Sequence, residues 1–314
     1  MQNLKGLAGA DWLMAAIVIL VWGVNFVVMK WGLQKVAPML LCALRFAVAS
    51  LPFLLLVRPP ANVPWRILAG YGLVQGVGQF GLLFVAMQWG MPAGMASVVL
   101  QTQAFISLLL AAVLLQERPR SWQWLGLCIA ITGLIVIASA QGEGAAQMSG
   151  IGFLLTVASA AMWACSNLIT RHAASYGAYQ PLPFLVWSSI FPIVPLLLMS
   201  LWLEGDLTHM TAQVQAMTWR GWGAVAYLAL LSTLLGYGLW TQLLQRYPTS
   251  TVAPLSLLVP VVGLLSAMVL LGEFPSAGQW LGTLGVLLGM VVNQLGGRGF
   301  QAWAAWRRGA RQTK

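Results

Sequence analysis

Long apolar stretches alternate with short polar connections along almost the whole chain. Ten of these stretches are about 20 residues long, the length at which an α-helix crosses roughly 30 Å of hydrocarbon. The pattern therefore predicts an all-α membrane protein with ten transmembrane helices. Their expected bounds are Trp12–Met29, Pro38–Val57, Ile67–Met87, Ala93–Leu115, Trp122–Ala140, Gly150–Thr170, Leu182–Leu203, Trp222–Leu244, Thr251–Leu271 and Ala277–Leu295.

The composition excludes a soluble domain. Of the 314 residues, 60% are hydrophobic and only 7% are charged, and the mean hydropathy is +0.82. Soluble proteins carry roughly 25% charged residues, so the lipid bilayer is the expected main partner. The 16 basic residues give a net charge of +10, but they are scattered singly or in pairs, and we expect no nucleic-acid partner. The three cysteines lack metal-ligand spacing, so we expect neither a metal nor another cofactor.

The distribution of Lys and Arg between alternate connections predicts the orientation. If the N-terminus is cytoplasmic, twelve basic residues lie on that side and three on the other, with one more inside a helix. Basic residues collect on the cytoplasmic side of polytopic proteins, so both termini are expected in the cytoplasm. Residues 297–314 combine aromatic with basic side chains and are predicted to form a basic cytoplasmic tail.

An internal repeat divides the chain into two similar halves. A shift of 156 residues (270 − 114) superposes LLQERPRSWQWLG, residues 114–126, on LLGEFPSAGQWLG, residues 270–282. A weaker pair matches WGVNFVVMK, residues 22–30, with WACSNLITR, residues 163–171. We therefore predict one five-helix unit over residues 1–145 and a second over residues 146–296, with chance similarity between apolar segments as the alternative. Because five is odd, the second unit is inverted in the membrane, which places a substrate site near the midplane where the units meet.

Two basic side chains fall within or at the end of predicted helices. Arg45 lies deep in the second helix, where a charge is unfavourable unless it faces the bundle. It is a candidate for attracting a substrate carboxylate, and the alternative is a structural clamp on backbone carbonyls or a snorkelling side chain. Lys30 ends the first helix, and it either snorkels towards water or contributes to a cavity.

Neutral polar and aromatic side chains within the helices suggest a polar path through the membrane. Asn25 and Asn167 each follow a Trp by three or four residues, and each either contacts a substrate or pairs with another helix. At least one of four glutamines on the third and fourth helices is expected to line a cavity. These glutamines are Gln75, Gln79, Gln101 and Gln103.

The eighth and ninth helices carry further candidates. Tyr237 and Trp240, three residues apart, are candidates for aromatic cavity walls. Pro254 and Pro260 interrupt the ninth helix, and irregular backbone within a membrane persists only where it is buried in protein or lines water. Pro254 with Ser256 therefore marks exposed carbonyls or a hinge, and a simple kink is the alternative.

The acidic residues argue against an enzyme. Four of the six acids lie in outer connections, no common hydrolase or phosphate-binding motif occurs, and the helix interiors contain no Asp or Glu. The carboxylate relay typical of proton pumps is therefore missing. Glu117 and Glu273, at the ends of equivalent helices, are candidates for gates, and a solvated helix-end carboxylate is the alternative.

Several strings spread over almost the whole chain carry a family resemblance. They are VWGVNFVVMKWGL (21–33), LRF (44–46), GMPAGMASVVLQTQAF (90–105), MWACSN (162–167), GYGLW (236–240) and APLSLLVPVVG (253–263). With ten predicted helices and a five-plus-five repeat, the chain resembles the EamA branch of the drug/metabolite transporter superfamily, and within it the exporters of O-acetylserine and cysteine.

The resemblance implies a multi-pass exporter in the bacterial inner (cytoplasmic) membrane. It also implies a central cavity bounded mainly by helices one, three, four, six, eight and nine, with Arg45 outside that ring. The residues of this chain that fall on those helices are Asn25, Gln79, Gln101, Trp163, Asn167, Tyr237, Trp240 and Ser256.

The expected mechanism is alternating access of the two units around a small amino-acid-like substrate, with protons as a candidate coupling ion. One alternative is export of other aromatic or neutral amino acids or of drug-like amines, in which aromatic side chains make the main contacts. Another is a membrane enzyme acting on a lipid-linked substrate, with Arg45 and Lys30 binding phosphate. A passive channel is the third.

Overall fold

The structure is a computed structural model that describes residues 8–114, 116–143, 147–247 and 249–312. Side chains are described within these ranges except at 249, 250 and 297–312. Every regular element in the described residues is helical. The main helices are α1 Gly9–Gly32, α2 Pro38–Phe53, α3 Trp65–Gln88, α4 Ala93–Leu114, α5 Ser121–Ser139, α6 Gly150–Ala174, α7 Pro181–Leu203, α8 Leu207–Gln215, α9 Trp219–Arg246, α10 Ala253–Leu271 and α11 Ala277–Gln312.

Within the described residues, eight helices are long and apolar enough to cross a membrane, namely α1, α3 to α7, α9 and α10. The chain is therefore an all-helical, multi-pass membrane protein, as predicted. The apolar helix α2 is shorter than the other eight. Ten membrane-spanning helices thus remain a prediction from the sequence.

The helix bounds depart from the sequence prediction in two places. The connection around Gly205 contains the short helix α8, which was not predicted. The last helix continues to Gln312, whereas the apolar pattern predicted its end at Leu295. Apolar patterning detects lipid-facing segments but not helices with polar surfaces, which explains both differences.

Three membrane helices change their hydrogen-bond pattern within their length, and a fourth, α10, begins with a changed pattern. Wider π-helical turns occupy Leu73–Gly81 in α3 and Tyr227–Gly236 in α9. Tighter 3₁₀ turns occupy Leu100–Thr102 in α4 and Ala253–Leu257 in α10. Such irregular turns redirect side chains and occur frequently at functional sites. They lie in the same part of the bundle as the polar side chains described below.

Helices α5 and α11 pack in an antiparallel arrangement through glycines. A Cβ added to Gly126 would lie 2.6 Å from the carbonyl oxygen of Gly289, and one added to Gly133 would lie 2.6 Å from that of Gly282. Gly126 and Gly282 are 156 residues apart, as are Gly133 and Gly289. When each glycine is replaced by its equivalent 156 residues away, the contact of Gly126 with Gly289 therefore becomes the contact of Gly282 with Gly133.

The ends of α4 and α10 also share one geometry. Gln116 and Gly272, 156 residues apart, have positive φ angles of 53° and 68°. In each case the next residue, Glu117 or Glu273, donates its N–H over 3.3 Å to a carbonyl six residues earlier, that of Ala111 or Ala267. Each helix thus ends in a left-handed residue followed by the same backbone bond, which spans six residues. The same turn thus places the two carboxylates that the sequence suggested as gates.

Candidate functional site

A narrow cavity lies in the middle of the bundle among α1, α3, α4, α6, α9 and α10. Because α8 was not among the predicted helices, α9 and α10 correspond to the predicted helices eight and nine. The cavity therefore lies among the six helices that the resemblance implied. The space available to water-sized molecules is about 40 Å³, enough for a few waters. Its lining is Trp22, Asn25, Phe26, Gln79, Phe80, Leu83, Ser97, Leu100, Gln101, Trp163, Ser232, Tyr237 and Val259.

Trp22 forms the aromatic centre of one wall. Its indole Nε1 donates to the carbonyl oxygen of Ser232 over 3.1 Å, within the π-helical turn of α9. Its ring lies 5.0 Å from that of Tyr237 and 5.6 Å from that of Trp240, as centroid distances. The indole passes directly over Gly236, where any Cβ would overlap Nε1. Glycine at this position is therefore required for the wall to form.

A hydrogen-bonded chain joins three helices behind the cavity. Ser166 donates to Oε1 of Gln75 over 2.5 Å, and Nε2 of Gln75 donates to the hydroxyl of Tyr237 over 3.0 Å. Gln75 and Ser166 are buried. Because each group in the chain has a partner, Gln75 fixes the position of the Tyr237 ring against α3 and α6.

Two amide oxygens in the cavity lining have no hydrogen-bond partner among the described residues. They are Oδ1 of Asn25 and Oε1 of Gln79. Both side chains are buried, at 6% and 2% exposure. Asn25 uses its amide nitrogen on the sulfur of Met29, over 3.2 Å. A buried acceptor without a partner is unfavourable, so each oxygen would be stabilised by a hydrogen-bond donor that reached it.

Gln101 and Ser256 meet where α4 and α10 approach each other. Nε2 of Gln101 donates to the carbonyl oxygen of Ser256 over 3.3 Å. Pro260 has no N–H, so it cannot supply the helical bond to that carbonyl four residues earlier. The Ser256 carbonyl therefore accepts from Gln101 in addition to a backbone N–H at the end of the 3₁₀ turn. The region of Pro254 and Ser256, expected to expose carbonyls, is thus a 3₁₀ turn with one carbonyl also bound by the neighbouring helix.

Arg45 lies fully buried behind Phe80. Its Nε and Nη2 both donate to Oγ1 of Thr233, over 3.1 and 3.0 Å. Its Cζ atom lies 3.8 Å from the centroid of the Phe80 ring, a close cation–π contact. Nη1 has no hydrogen-bond partner among the described residues. The side chain therefore neither snorkels to water nor clamps backbone carbonyls.

One end of the bundle, here called the Glu273 end, is tightly packed. Lys30 donates to the carbonyl oxygen of Met87 over 3.3 Å, and Oε2 of Glu273 accepts from the N–H of Gly94 over 3.3 Å, at the start of α4. Partial burial raises the pKa of Glu273 above its usual value, against the opposing effects of the Gly94 N–H and the Lys30 charge. Every residue from 91 to 102 is buried. The carboxylate of Glu273 thus holds α10 to the start of α4.

The opposite end, here called the Glu117 end, is more open. Glu117 is exposed and forms an ion pair with Arg171 at the end of α6. Residues 251–257, which include the first turn of α10, are only partly buried, apart from Val252, which is buried. A second ion pair, between Asp11 and Arg246 at 2.6 Å, joins α1 to α9. The two ends therefore differ in packing although their turns are alike.

The structure brings together five of the eight predicted substrate-binding residues, Asn25, Gln79, Gln101, Trp163 and Tyr237. Trp240 and Ser256 lie directly behind the lining, in contact with Trp22 and Gln101. Asn167 lies elsewhere, exposed, with its Nδ2 donating to Oε1 of Gln103 over 2.9 Å. In the weaker repeat Asn25 aligns with position 166, and there Ser166 points inward to Gln75.

Sequence reasoning missed the other lining residues, most of which are apolar or small. Trp22 had a signal, because the weaker repeat aligns it with Trp163, and both rings line the cavity. Ser97 and Ser232 carried no comparable signal. Within the described residues, no three His, Cys, Asp or Glu side chains cluster in a way that could hold a metal. A separate surface cleft of about 460 Å³ lies between residues 56–62 and 178–183, away from this cavity.

Comparisons with known proteins assign the chain to a family. The model of the EamA-like transporter family matches it twice, over residues 11–139 and 150–294. A probable amino-acid metabolite efflux pump of Salmonella typhimurium is 43% identical, over 92% of this chain and 96% of that protein. One of the same description from Escherichia coli is 41% identical, over 91% and 95%.

A solved crystal structure with 20% sequence identity shares the fold, with a TM-score of 0.59 over 94% of this chain and 99% of that one. The family matches together cover most of the chain, including every helix that lines the cavity. This multi-pass membrane protein therefore belongs to the EamA-like transporter family.

Proposed function

We propose that the protein exports small amino-acid metabolites of the O-acetylserine and cysteine class across the bacterial inner membrane. The observation that carries this proposal is the central cavity, which combines aromatic walls with the unpartnered amide oxygens of Asn25 and Gln79. Neutral polar groups suit a metabolite that must bind and then dissociate. The relatives from Salmonella typhimurium and Escherichia coli are probable amino-acid metabolite efflux pumps, which supports an amino-acid metabolite as substrate.

The ten-helix, inverted-repeat architecture is part of this proposal. The family model matches each half once. The glycine contacts of α5 with α11 are exchanged by the shift of 156 residues, and so are the caps of α4 and α10. Equivalent helices that pack antiparallel are expected for units related by a two-fold axis in the membrane plane. With the predicted cytoplasmic termini, the Glu117 end faces the cytoplasm.

Alternating access is supported by the difference between the two ends. Glu273 is docked on the start of α4, whereas Glu117 is exposed. We infer that the structure is closed at the Glu273 end and that transport exchanges these roles, with Glu117 docking on the helical turn Thr249–Val252, which leads into α10. The backbone N–H equivalent to that of Gly94 is then that of Ser250 (94 + 156). We call the docked carboxylate, Glu273 in this structure and Glu117 in the exchanged state, the latch. A carboxylate suits this role because helix N-termini favour negative charge.

The substrate assignment is tested by efflux of labelled O-acetylserine and cysteine from proteoliposomes, with and without an imposed proton gradient. We expect saturable efflux from the wild-type protein. In Gln79→Leu the efflux should fall about tenfold, because the substrate loses one buried hydrogen bond to its charged group. Gln215→Leu makes the same chemical change on the exposed face of α8 and is the matched control. Unsaturable flux would indicate a channel, and no flux of either compound from folded protein would overturn the substrate class.

The latch is tested by a reversible cross-link. In a background without Cys42, Cys128 and Cys165, the pair Ala93→Cys and Glu273→Cys should form a disulfide on oxidation that stops efflux, and reduction should restore it. Each single variant under oxidation is the control. Unchanged efflux from protein shown to be cross-linked would overturn movement at the Glu273 end.

A second candidate, export of aromatic amino acids or drug-like amines, is favoured by the aromatic walls. Trp22, Trp163 and Tyr237 all line the cavity. If these rings supply the main contacts, Trp163→Leu will impair transport more than Gln79→Leu, and aromatic amino acids will compete with cysteine. Family membership indicates a transporter rather than an enzyme, and the full burial of Arg45 leaves the lipid-phosphate alternative without support.

A further inference from the structure

The charge of Arg45 has no acidic partner in the protein. The sequence contains six acids, and the structure describes all of them. Four accept bonds from other groups: Asp11 from Arg246, Glu117 from Arg171, Glu204 from the start of α2 and Glu273 from the start of α4. Asp206 caps α8, and Glu143 is exposed at the end of α5. The guanidinium of Arg45 is left with one hydroxyl, the aromatic rings of Phe46 and Phe80, and an unpartnered Nη1.

This unneutralised charge lies directly behind the cavity wall. The Phe80 ring contacts the guanidinium on one side, at 3.8 Å from Cζ, and lines the cavity with the rest of its surface. Thr233, which holds Arg45, is the neighbour of the lining residue Ser232. Charges within a protein interior are screened much less than charges in water. Arg45 therefore contributes a positive potential to the cavity.

The free groups of the cavity lining have the opposite character. Oδ1 of Asn25 and Oε1 of Gln79 are buried acceptors without a donor in the described residues. An ammonium group offers three N–H donors and no acceptor, so it can satisfy both oxygens at once. A carboxylate cannot bond to either of them.

We propose that the cavity recognises substrates that carry a carboxylate and an ammonium group together. The charge of Arg45 selects for the carboxylate, and the oxygens of Asn25 and Gln79 accept from the ammonium. This inference rests on the proposed function and names how the same cavity discriminates among substrates. It disfavours amines without a carboxylate, because their positive charge is repelled by Arg45 and they carry no negative group that offsets this repulsion.

Three small thiols test the preference for the carboxylate and the preference for the ammonium group separately. L-cysteine carries both groups, cysteamine lacks the carboxylate, and 3-mercaptopropionate lacks the ammonium. Each is offered, under reducing conditions, as a competitor of labelled cysteine in proteoliposomes. We expect wild-type protein to prefer cysteine over either analogue by about tenfold or more. This measurement needs no variant, and equal competition by cysteamine would overturn the role of Arg45.

The variants assign each preference to its residue. Arg45→Gln should remove most of the preference of cysteine over cysteamine, whereas Arg45→Lys, which keeps the charge, should retain it. Gln79→Leu and Asn25→Leu should reduce the preference of cysteine over 3-mercaptopropionate and leave the cysteamine ratio unchanged. If Arg45 were merely structural, Arg45→Gln would lower cysteine transport without changing either competition ratio, and that result would refute the proposal.

Substrate discrimination by the cavity and export of cysteine can each fail separately. Saturable cysteine transport with ratios that do not respond to Arg45, Asn25 or Gln79 overturns this inference and leaves the proposed exporter standing. Absence of cysteine and O-acetylserine transport by folded wild-type protein overturns the proposed function itself.

Discussion

Gly126 of α5 lies so close to Gly289 of α11 that a Cβ on Gly126 would be 2.6 Å from the carbonyl oxygen of Gly289. The reciprocal Cβ, on Gly289, would be 2.5 Å from the carbonyl oxygen of Gly126. Contact between two backbones gives the helices many van der Waals contacts, the main source of helix association in a membrane. The pair fixes the relative position of the two halves of the chain.

Gly126→Ala and Gly289→Ala should each destabilise the protein by about 1–3 kcal/mol, because an overpacked backbone contact forces the helices apart. Thermal unfolding in detergent measures the change. Gly223→Ala is the control, since nothing lies within 4 Å of a Cβ added there. If the two substitutions at the contact were as mild as the control, the α5–α11 interface would not contribute to stability as described.

Gly236→Ala should impair transport without unfolding the protein. The added methyl group displaces the Trp22 indole from the Ser232 carbonyl and from the Tyr237 ring. We expect about a tenfold loss of efflux, the effect of losing one buried hydrogen bond and its packing. Gly238→Ala, two residues later with open space around it, is the matched control and should transport normally. Equal activity of both variants would exclude a role for the Trp22 wall.

Glu204→Ala should lower stability by about 1–2 kcal/mol, the range for loss of a helix cap with charge-assisted bonds. Its carboxylate accepts from the N–H groups of Met39 over 2.6 Å and Leu40 over 3.3 Å, at the start of α2. Glu204→Gln keeps an acceptor and should have a smaller effect. Chemical denaturation in detergent compares both with Glu143→Ala, an exposed acid whose loss should change stability little. A similar loss in Glu143→Ala would point to net charge rather than capping.

Glu273 should make stability depend on pH. Burial raises its pKa, so the folded protein binds this proton more tightly than the unfolded chain does. Its contribution to stability is therefore present at acid pH and is lost as the pH rises through the raised pKa. We expect Glu273→Gln and wild type to have similar melting temperatures at a pH near the usual carboxyl pKa. Towards neutral pH the variant should become more stable than wild type. Glu143→Gln controls for the loss of a charge, and a pH-independent difference for Glu273→Gln would contradict the prediction.

Much of the candidate site follows from residue types that are unusual inside a membrane. Asn25, Gln79 and Gln101 were chosen because a polar group in a helix interior needs a partner or water, and the structure places all three in the cavity lining. The same reasoning could not separate Asn25 from Asn167, because a one-residue displacement turns a side chain by about 100° around a helix. Only the packed bundle shows that Asn167 bonds to Gln103 on the neighbouring helix instead.

The sequence by itself determined that the chain is a helical membrane protein, where most of its helices begin and end, and that residues 114–126 resemble residues 270–282. These properties depend on local patterns and on the balance between apolar and charged residues. Tertiary structure decided that Arg45 lies behind Phe80, that Trp22 crosses Gly236, and that Glu273 is docked while Glu117 is not. Each of these contacts joins residues far apart in the chain or distinguishes two nearly identical turns, and the packing of the surrounding helices, rather than any local pattern, determines it.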